Sequence, residues 1–163
     1  MATRDVEVVI GGKTIVVRAA SPEEIIDLRH AVLRQGLPRQ EAIFDGDELP
    51  TTRHSGAFTG GNGTAVGCAT MLLNAWEGEP AWQLRGMATA PVIRGKGLGR
   101  LMLQHLEFGI LDALPPAAPR LLWCNARVPA VGFYESLGWR VVSERFEIPT
   151  AGPHVKMVRR LDL

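Results

Sequence analysis

Two β-branched runs, residues 6–10 and 13–18, flank Gly11-Gly12 and predict a hairpin or one bent strand. The pattern then changes to helical. Ser21 can cap the first turn, Pro22 occupies the first helical position, where its missing N–H costs nothing, and Glu24 can reach back to the cap. Arg34, Gly36 and Pro38 are the matching stop signals. Residues 40–50 are acidic and poor in apolar side chains, and predict either a short helix or a loop. Residues 51–59 and 64–73 predict two strands joined at Gly60-Gly61-Asn62-Gly63, where Asn-Gly supplies the positive φ of a tight turn. Residues 82–89 predict the next strand.

From residue 97 to 114 the apolar side chains Leu98, Leu101, Met102, Leu106, Ile110 and Leu114 recur at spacings of three and four, the period of a helix with one buried face, closed by Pro115-Pro116. A short apolar strand is expected over 121–125, a helix over 129–137 closed by Gly138, and two final strands over 140–148 and 155–161. Hairpins first and β-α-β units later imply a mixed sheet with helices on both faces.

The 163 residues suit one domain with a single core. Their 18 Lys and Arg against 17 Asp and Glu are scattered, which argues against nucleic acid as a partner. No apolar stretch reaches the roughly 20 residues that span a bilayer, and the first residues lack the features of a secretory signal, so no membrane partner and a cytoplasmic location are expected. Cys68 and Cys124 lie far apart in apolar runs, as buried reduced thiols do.

The most informative stretch is Arg94-Gly95-Lys96-Gly97-Leu98-Gly99-Arg100, between a predicted strand and a predicted helix. Alternating glycines let backbone approach a ligand closely, the first-turn N–H groups of the helix have no intrahelical partner, and three cations flank them, a combination suited to phosphate. A nucleoside-triphosphate loop would need G-x-x-x-x-G-K-[ST], but here the lysine precedes Gly97 and no hydroxyl follows for magnesium. A dinucleotide fingerprint would want glycine at position 100, which is Arg, and an acidic residue about 20 positions on from Gly95, which is missing.

The spacing R-x-x-G-x-G, with Arg94, Gly97 and Gly99 in register, resembles the GNAT acetyltransferase family. The preceding Leu84-Arg85-Gly86-Met87-Ala88-Thr89-Ala90-Pro91 is similar to that family's fourth strand, and Arg127-x-x-Ala130-x-x-x-Tyr134-x-x-x-Gly138-Trp139 resembles its N-x-x-A-x-x-x-Y-x-x-x-G-F block. The resemblance covers residues 81–139. It implies an α/β fold with a central mixed, strongly bent sheet flanked by helices on both faces, and acetyl-CoA as cosubstrate with no metal. It also implies Met87, Ala88 and Thr89 on the pantetheine arm and Gly95, Lys96, Gly97, Leu98, Gly99 and Arg100, with Arg94, on the pyrophosphate. Arg127 replaces the asparagine that usually contacts pantetheine and would offer a charge-assisted bond instead. Trp139 replaces phenylalanine.

Tyr134, the chain's single tyrosine, is then the candidate general acid, since a phenol stays protonated at neutral pH and a departing thiolate needs a proton; a core tyrosine is the alternative. Histidine titrates nearest neutrality and suits the base that receives the amine's proton. His154, after Gly152-Pro153, ranks ahead of His54, while His30 and His105 lie on helices and Glu77 and Glu79 suit a solvated loop. The expected acceptor is a small-molecule amine, because the near-neutral chain lacks an acidic patch for a lysine-rich tail, and a homodimer is compatible with the sequence. The rival from another class is a catalytically silent acyl-CoA-binding domain.

Overall fold

The computed structural model describes residues 4–60, 63–113 and 119–161. In chain order the elements are β1 (Val6–Ile10), β2 (Lys13–Ala19), α1 (Pro22–Leu33), β3 (Arg53–Thr59), β4 (Thr64–Leu73), β5 (Trp82–Thr89), α2 (Leu98–Ala113), β6 (Leu121–Arg127), α3 (Val131–Ser136), β7 (Arg140–Val141), β8 (Phe146–Ile148) and β9 (Gly152–Arg160). The nine strands form one bent, unclosed mixed sheet in the order β1-β2-β3-β4-β5-β6-β9-β7, with β8 also paired to β9. Every neighbouring pair is antiparallel except β5 and β6.

The local signals at α1 act as their chemistry suggests. The Ser21 N–H donates to Glu24 Oε1 at 3.0 Å, while the Glu24 N–H goes to the Ser21 carbonyl at 3.2 Å. Residues 40–50 resolve into a short 3-10 turn, Arg39–Ala42, and further turns. The expected Asn62 turn and the Leu114-Pro115-Pro116 helix end lie outside the described residues. The third helix starts with a 3-10 turn, Val128–Ala130, ahead of α3.

Two boundaries differ from expectation for a visible reason. The single strand expected over 140–148 is broken into β7 and β8, because the Lys156 N–H donates to the Ser143 hydroxyl at 2.8 Å where a ladder carbonyl would otherwise stand. The last strand starts at Gly152 rather than at residue 155, so His154 lies within β9 and pairs with Arg127 of β6.

Side chains on a strand alternate between faces, and β4 shows which helix each face serves. Cys68 packs with Ile25 of α1 and Thr70 accepts a bond from Arg29 of α1, whereas Ala69 and Met71 share the main core with Leu103, Leu106 and Ile110 of α2. The helices therefore cover opposite faces. On the α1 face the guanidinium of Arg29, fully buried, reaches Asp47 at 2.6 and 3.2 Å, the Ala42 carbonyl at 2.9 Å and Thr70 Oγ1 at 2.9 Å, and stacks over Phe44. This cluster gives the irregular segment 40–50 its fixed place against the sheet. Removing one member of a buried ion pair leaves the other charge uncompensated. Asp47→Ala is therefore expected to cost about 3–5 kcal/mol, read as a lower midpoint in urea unfolding, whereas the exposed pair Arg39–Asp27 should be worth at most about 1 kcal/mol in the same assay.

Candidate active site

The site arises from two irregularities in β5. Cys68 of β4 stands opposite Ala88 and Thr70 opposite Arg85, so Ala69 alone faces both Gly86 and Met87. This is a β-bulge. Gly86 holds φ at +60°, and a Cβ there would come within 2.8 Å of Arg29 Nε and 3.1 Å of Phe44, so both conformation and space call for glycine. An extra residue inverts the alternation beyond it. Leu84 points to the α2 face and Arg85 to the α1 face; after the bulge Met87 returns to the α2 face and Ala88 packs on the α1 side with Ile25.

The second irregularity is that the parallel ladder between β5 and β6 lasts for three pairs, from Trp82↔Leu122 to Leu84↔Cys124. Beyond it the strands separate, and no ladder joins residues 85–89 to β6. A cavity of about 490 Å³ occupies the gap and reaches both faces of the sheet. From the α2 side it is lined by Met87, Cys124 and Tyr134; from the α1 side by Arg34, Phe44, Arg85, Arg127 and His154.

Tyr134 is carried in by α3, where it packs edge-on to Phe133 and against Trp139. It is 7% exposed, and its hydroxyl donates to Met87 Sδ at 3.6 Å, a weak acceptor. Burial, reinforced by Cys124 nearby, pushes its phenol well above the ordinary tyrosine value, so it stays protonated. Burial also lifts the Cys68 thiol to about 11 and the Cys124 thiol to about 12; both are free.

His154 is buried, its ring against Phe146, and its Nδ1 lies 2.8 Å from the Gly152 carbonyl. A carbonyl only accepts, so Nδ1 is the donor, and in the tautomer this contact selects the lone pair lies on Nε2. His54 is elsewhere. Its Nδ1 bonds Thr70 Oγ1 at 2.7 Å and its Nε2 the Asp47 carbonyl at 2.9 Å, which commits both nitrogens to the Arg29 cluster and keeps the ring out of the cavity.

The glycine loop lies outside this cavity, at its α2 rim. A 3-10 turn, Pro91–Ile93, carries the chain from β5 to Arg94, whose Nε donates to the Thr89 carbonyl at 3.1 Å and ties the loop to the end of the strand. Gly95 and Gly97 have φ of +75° and +83° with open space beside their Cα atoms, while a Cβ at Gly99 would come 3.3 Å from Met87 Cε. Lys96 and Arg100 are exposed, whereas the Leu98 side chain is buried with Ile93 and Met102, leaving its backbone N–H for a ligand. Neither Ala88, whose side chain is buried on the α1 side, nor Thr89 lines the cavity, so of the three residues expected on the pantetheine arm only Met87 does. The loop can thus hold phosphate through main-chain N–H groups, with its third glycine against the residue that touches Tyr134.

Sequence reasoning missed the α1-side wall of Arg34, Phe44 and Arg85. One signal was available: Arg29 occupies an α1 position in phase with buried Ile25 and Ile26, and a charge in phase with a buried face needs partners. Among the described residues no group of three His, Cys, Asp or Glu could hold a metal ion, and no helix is long and apolar enough to cross a membrane.

The chain is similar in sequence and fold to known N-acetyltransferases. The chain is 29% identical over 151 residues to a Bacillus subtilis (strain 168) protein described as uncharacterized N-acetyltransferase YitI, covering 89% of this chain and 95% of that protein. The crystal structure of Escherichia coli ElaA superposes with a TM-score of 0.70 at 21% identity, over 88% of this chain and 99% of that one. An aminoglycoside 6'-N-acetyltransferase complexed with coenzyme A superposes with a TM-score of 0.67 at 13% identity, over 88% and 96% of the two chains. The family model of the acetyltransferase (GNAT) domain matches residues 55–141, more than half of the chain and the stretch that holds the bulge, the glycine loop and Tyr134. The chain belongs to the GNAT family of N-acetyltransferases.

Proposed function

We propose that the chain is one GNAT-like domain that transfers an acetyl group from acetyl-CoA to the primary amine of a small molecule by direct attack. The observation that carries this reading is that one cavity, passing through the split sheet, has a buried protonated phenol on one side and a histidine with a free ring nitrogen on the other. In this reading the glycine loop holds the pyrophosphate, the pantetheine arm lies along residues 87–89, and the thioester sits beside Tyr134. Arg127, at the end of β6, lines the cavity from the α1 side, across the sheet from Tyr134, and so faces the acceptor rather than the arm.

The amine nitrogen attacks the thioester carbon, the C–S bond breaks, and the thiolate takes the Tyr134 proton. His154 Nε2 receives the proton lost by the amine, directly or through water, and backbone N–H groups near the bulge meet the oxyanion. A phenol raised by burial is a weak acid in water. The same burial that raises the phenol also raises the neighbouring Cys124 thiol, so a bare thiolate is disfavoured there as a phenolate is, and both partners of the transfer shift in the same direction.

Three outcomes test the reading. Saturating acetyl-CoA should raise the unfolding temperature, because ligand at 100 times its dissociation constant adds about 2.7 kcal/mol, and Gly97→Trp, which fills the open space beside the loop, should abolish that rise. Tyr134→Phe should keep the acetyl-CoA shift but lower kcat by roughly 10²- to 10⁴-fold in a thiol-release assay; wild-type turnover would leave Tyr134 a packing residue. The acidic limb of the kcat/KM profile, which reports loss of the base by protonation, should be absent in His154→Gln; an unchanged limb and rate would remove His154 from the mechanism.

A further inference from the structure

The α1-side half of the cavity is unusually cationic for a site that takes an amine. Arg34, Arg85 and Arg127 line it, and no Asp or Glu does. None of the three makes an ion pair among the described residues. The carboxylate lying deepest in this region, Asp47, is engaged by Arg29 at 2.6 Å. Three guanidinium groups gather on the Phe44 ring, with Arg29, Arg34 and Arg85 centred 4.1, 5.0 and 5.0 Å from its centroid. Unlike Arg29, the other two hydrogen-bond only neutral acceptors: Arg34 Nη1 donates to the Leu33 carbonyl at 3.0 Å and Arg85 Nη1 to the Asp45 carbonyl at 3.1 Å, which orients the groups without neutralising them. Burial first, and then the charges of Arg127, Arg29 and Arg85, hold Arg34 below its ordinary value, with Glu41 the one opposing carboxylate. Arg85 is lowered by burial and by Arg29, against Asp47 and Asp45. Such an assembly repels itself, and a bound oxyanion relieves it.

We propose that the acceptor is a small amine that also bears a carboxylate, the carboxylate being held by Arg85 and Arg34 while Arg127 completes the cationic wall. The planar fork of a guanidinium fits a carboxylate bidentately, which makes Arg85 and Arg34 specificity-determining residues. The bulge explains their placement. Before the extra residue Arg85 points to the α1 face, and after it Met87 points to Tyr134, so two residues separated by Gly86 alone serve the acceptor and the acyl group from opposite sides of the sheet. The same wall acts on the nucleophile. Nearby cations disfavour an ammonium, so an acceptor anchored by its carboxylate has its amine shifted toward the neutral, attacking form beside His154.

This inference rests on the reading of the chain as an amine acetyltransferase, and the experiment separates the two. With the full chain and acetyl-CoA, thiol release is compared for matched pairs: glycine, β-alanine, 4-aminobutyrate, lysine and glutamate, each against its carboxamide, and phosphoethanolamine against ethanolamine. For the best carboxylate, kcat/KM should exceed that of its amide at least tenfold. Arg85→Gln and Arg34→Gln should each reduce that ratio severalfold, mainly through KM, and Arg85→Lys should recover part of it. Equal or faster turnover of the amides, or preference for phosphoethanolamine over every carboxylate, would overturn the proposal while leaving the acetyltransferase reading intact. If no amine releases thiol although acetyl-CoA stabilises the fold, the catalytic reading fails. The same five carboxylates, added with CoA, then decide the anion site: a rise in unfolding temperature lost in Arg85→Gln supports it, and no rise in wild type overturns it.

Discussion

Two β-strands that begin as hydrogen-bonded neighbours and then part leave backbone donors and acceptors facing a gap, and an unpaired buried peptide group is costly. In this chain β5 and β6 keep only the pairs from Trp82↔Leu122 to Leu84↔Cys124, and the cavity begins where the pairing stops. The polypeptide supports that opening from both sides. On the α1 face the Arg29–Asp47 pair and Phe44 pack over Gly86, whose missing Cβ lets the bulge form beneath them. On the α2 face Met87, Tyr134 and Trp139 form one apolar block with the main core. The opening belongs to the packed structure, and the groups that can use it are those the two faces deliver.

The two faces differ electrostatically. The α2 side is apolar, and there burial raises the phenol of Tyr134 and the thiol of Cys124 together. Low dielectric keeps a proton on whatever can hold one, which suits a proton donor. The α1 side carries arginines held in place by carbonyls and a histidine whose Nδ1 is fixed by the Gly152 carbonyl. Fixed cations there favour anions and neutral amines over ammonium groups. A reaction that must remove a proton from one partner and supply one to another has use for this asymmetry, with the sheet as the partition between the two halves.

The glycine loop contributes differently, through main chain rather than side-chain electrostatics. Its first two glycines leave open space on the outer surface, and its third lies against Met87. A ligand with phosphates at one end and a thioester at the other is the kind of molecule that could engage loop and cavity together, which links the loop's position to the length of the cosubstrate. Arg94 takes part in shaping the loop as well as charging it, because its Nε is engaged by the Thr89 carbonyl.

The sequence by itself determined what depends on neighbouring residues: the Ser21-Pro22-Glu24 start of α1, the apolar period of α2, the strands of β4 and β5, and the alternating glycines after Arg94. Each is a property of a few consecutive residues, as is the block around Tyr134 that carries the family resemblance. The break between β7 and β8 was not legible, because it depends on one hydroxyl, Ser143, meeting the N–H of Lys156 from a distant strand. The order of the two histidines was legible from Gly152-Pro153 before His154, but its physical basis was not: only the packing commits both ring nitrogens of His54 to Thr70 and Asp47 while leaving His154 at the cavity. The arginine wall was hidden for the same reason, since Arg34, Arg85 and Arg127 belong to three separate elements. What the tertiary structure alone decided was face and register. A single extra residue at Gly86 reverses which side of the sheet every following side chain meets, and that reversal can be read only against the partner strand that defines it.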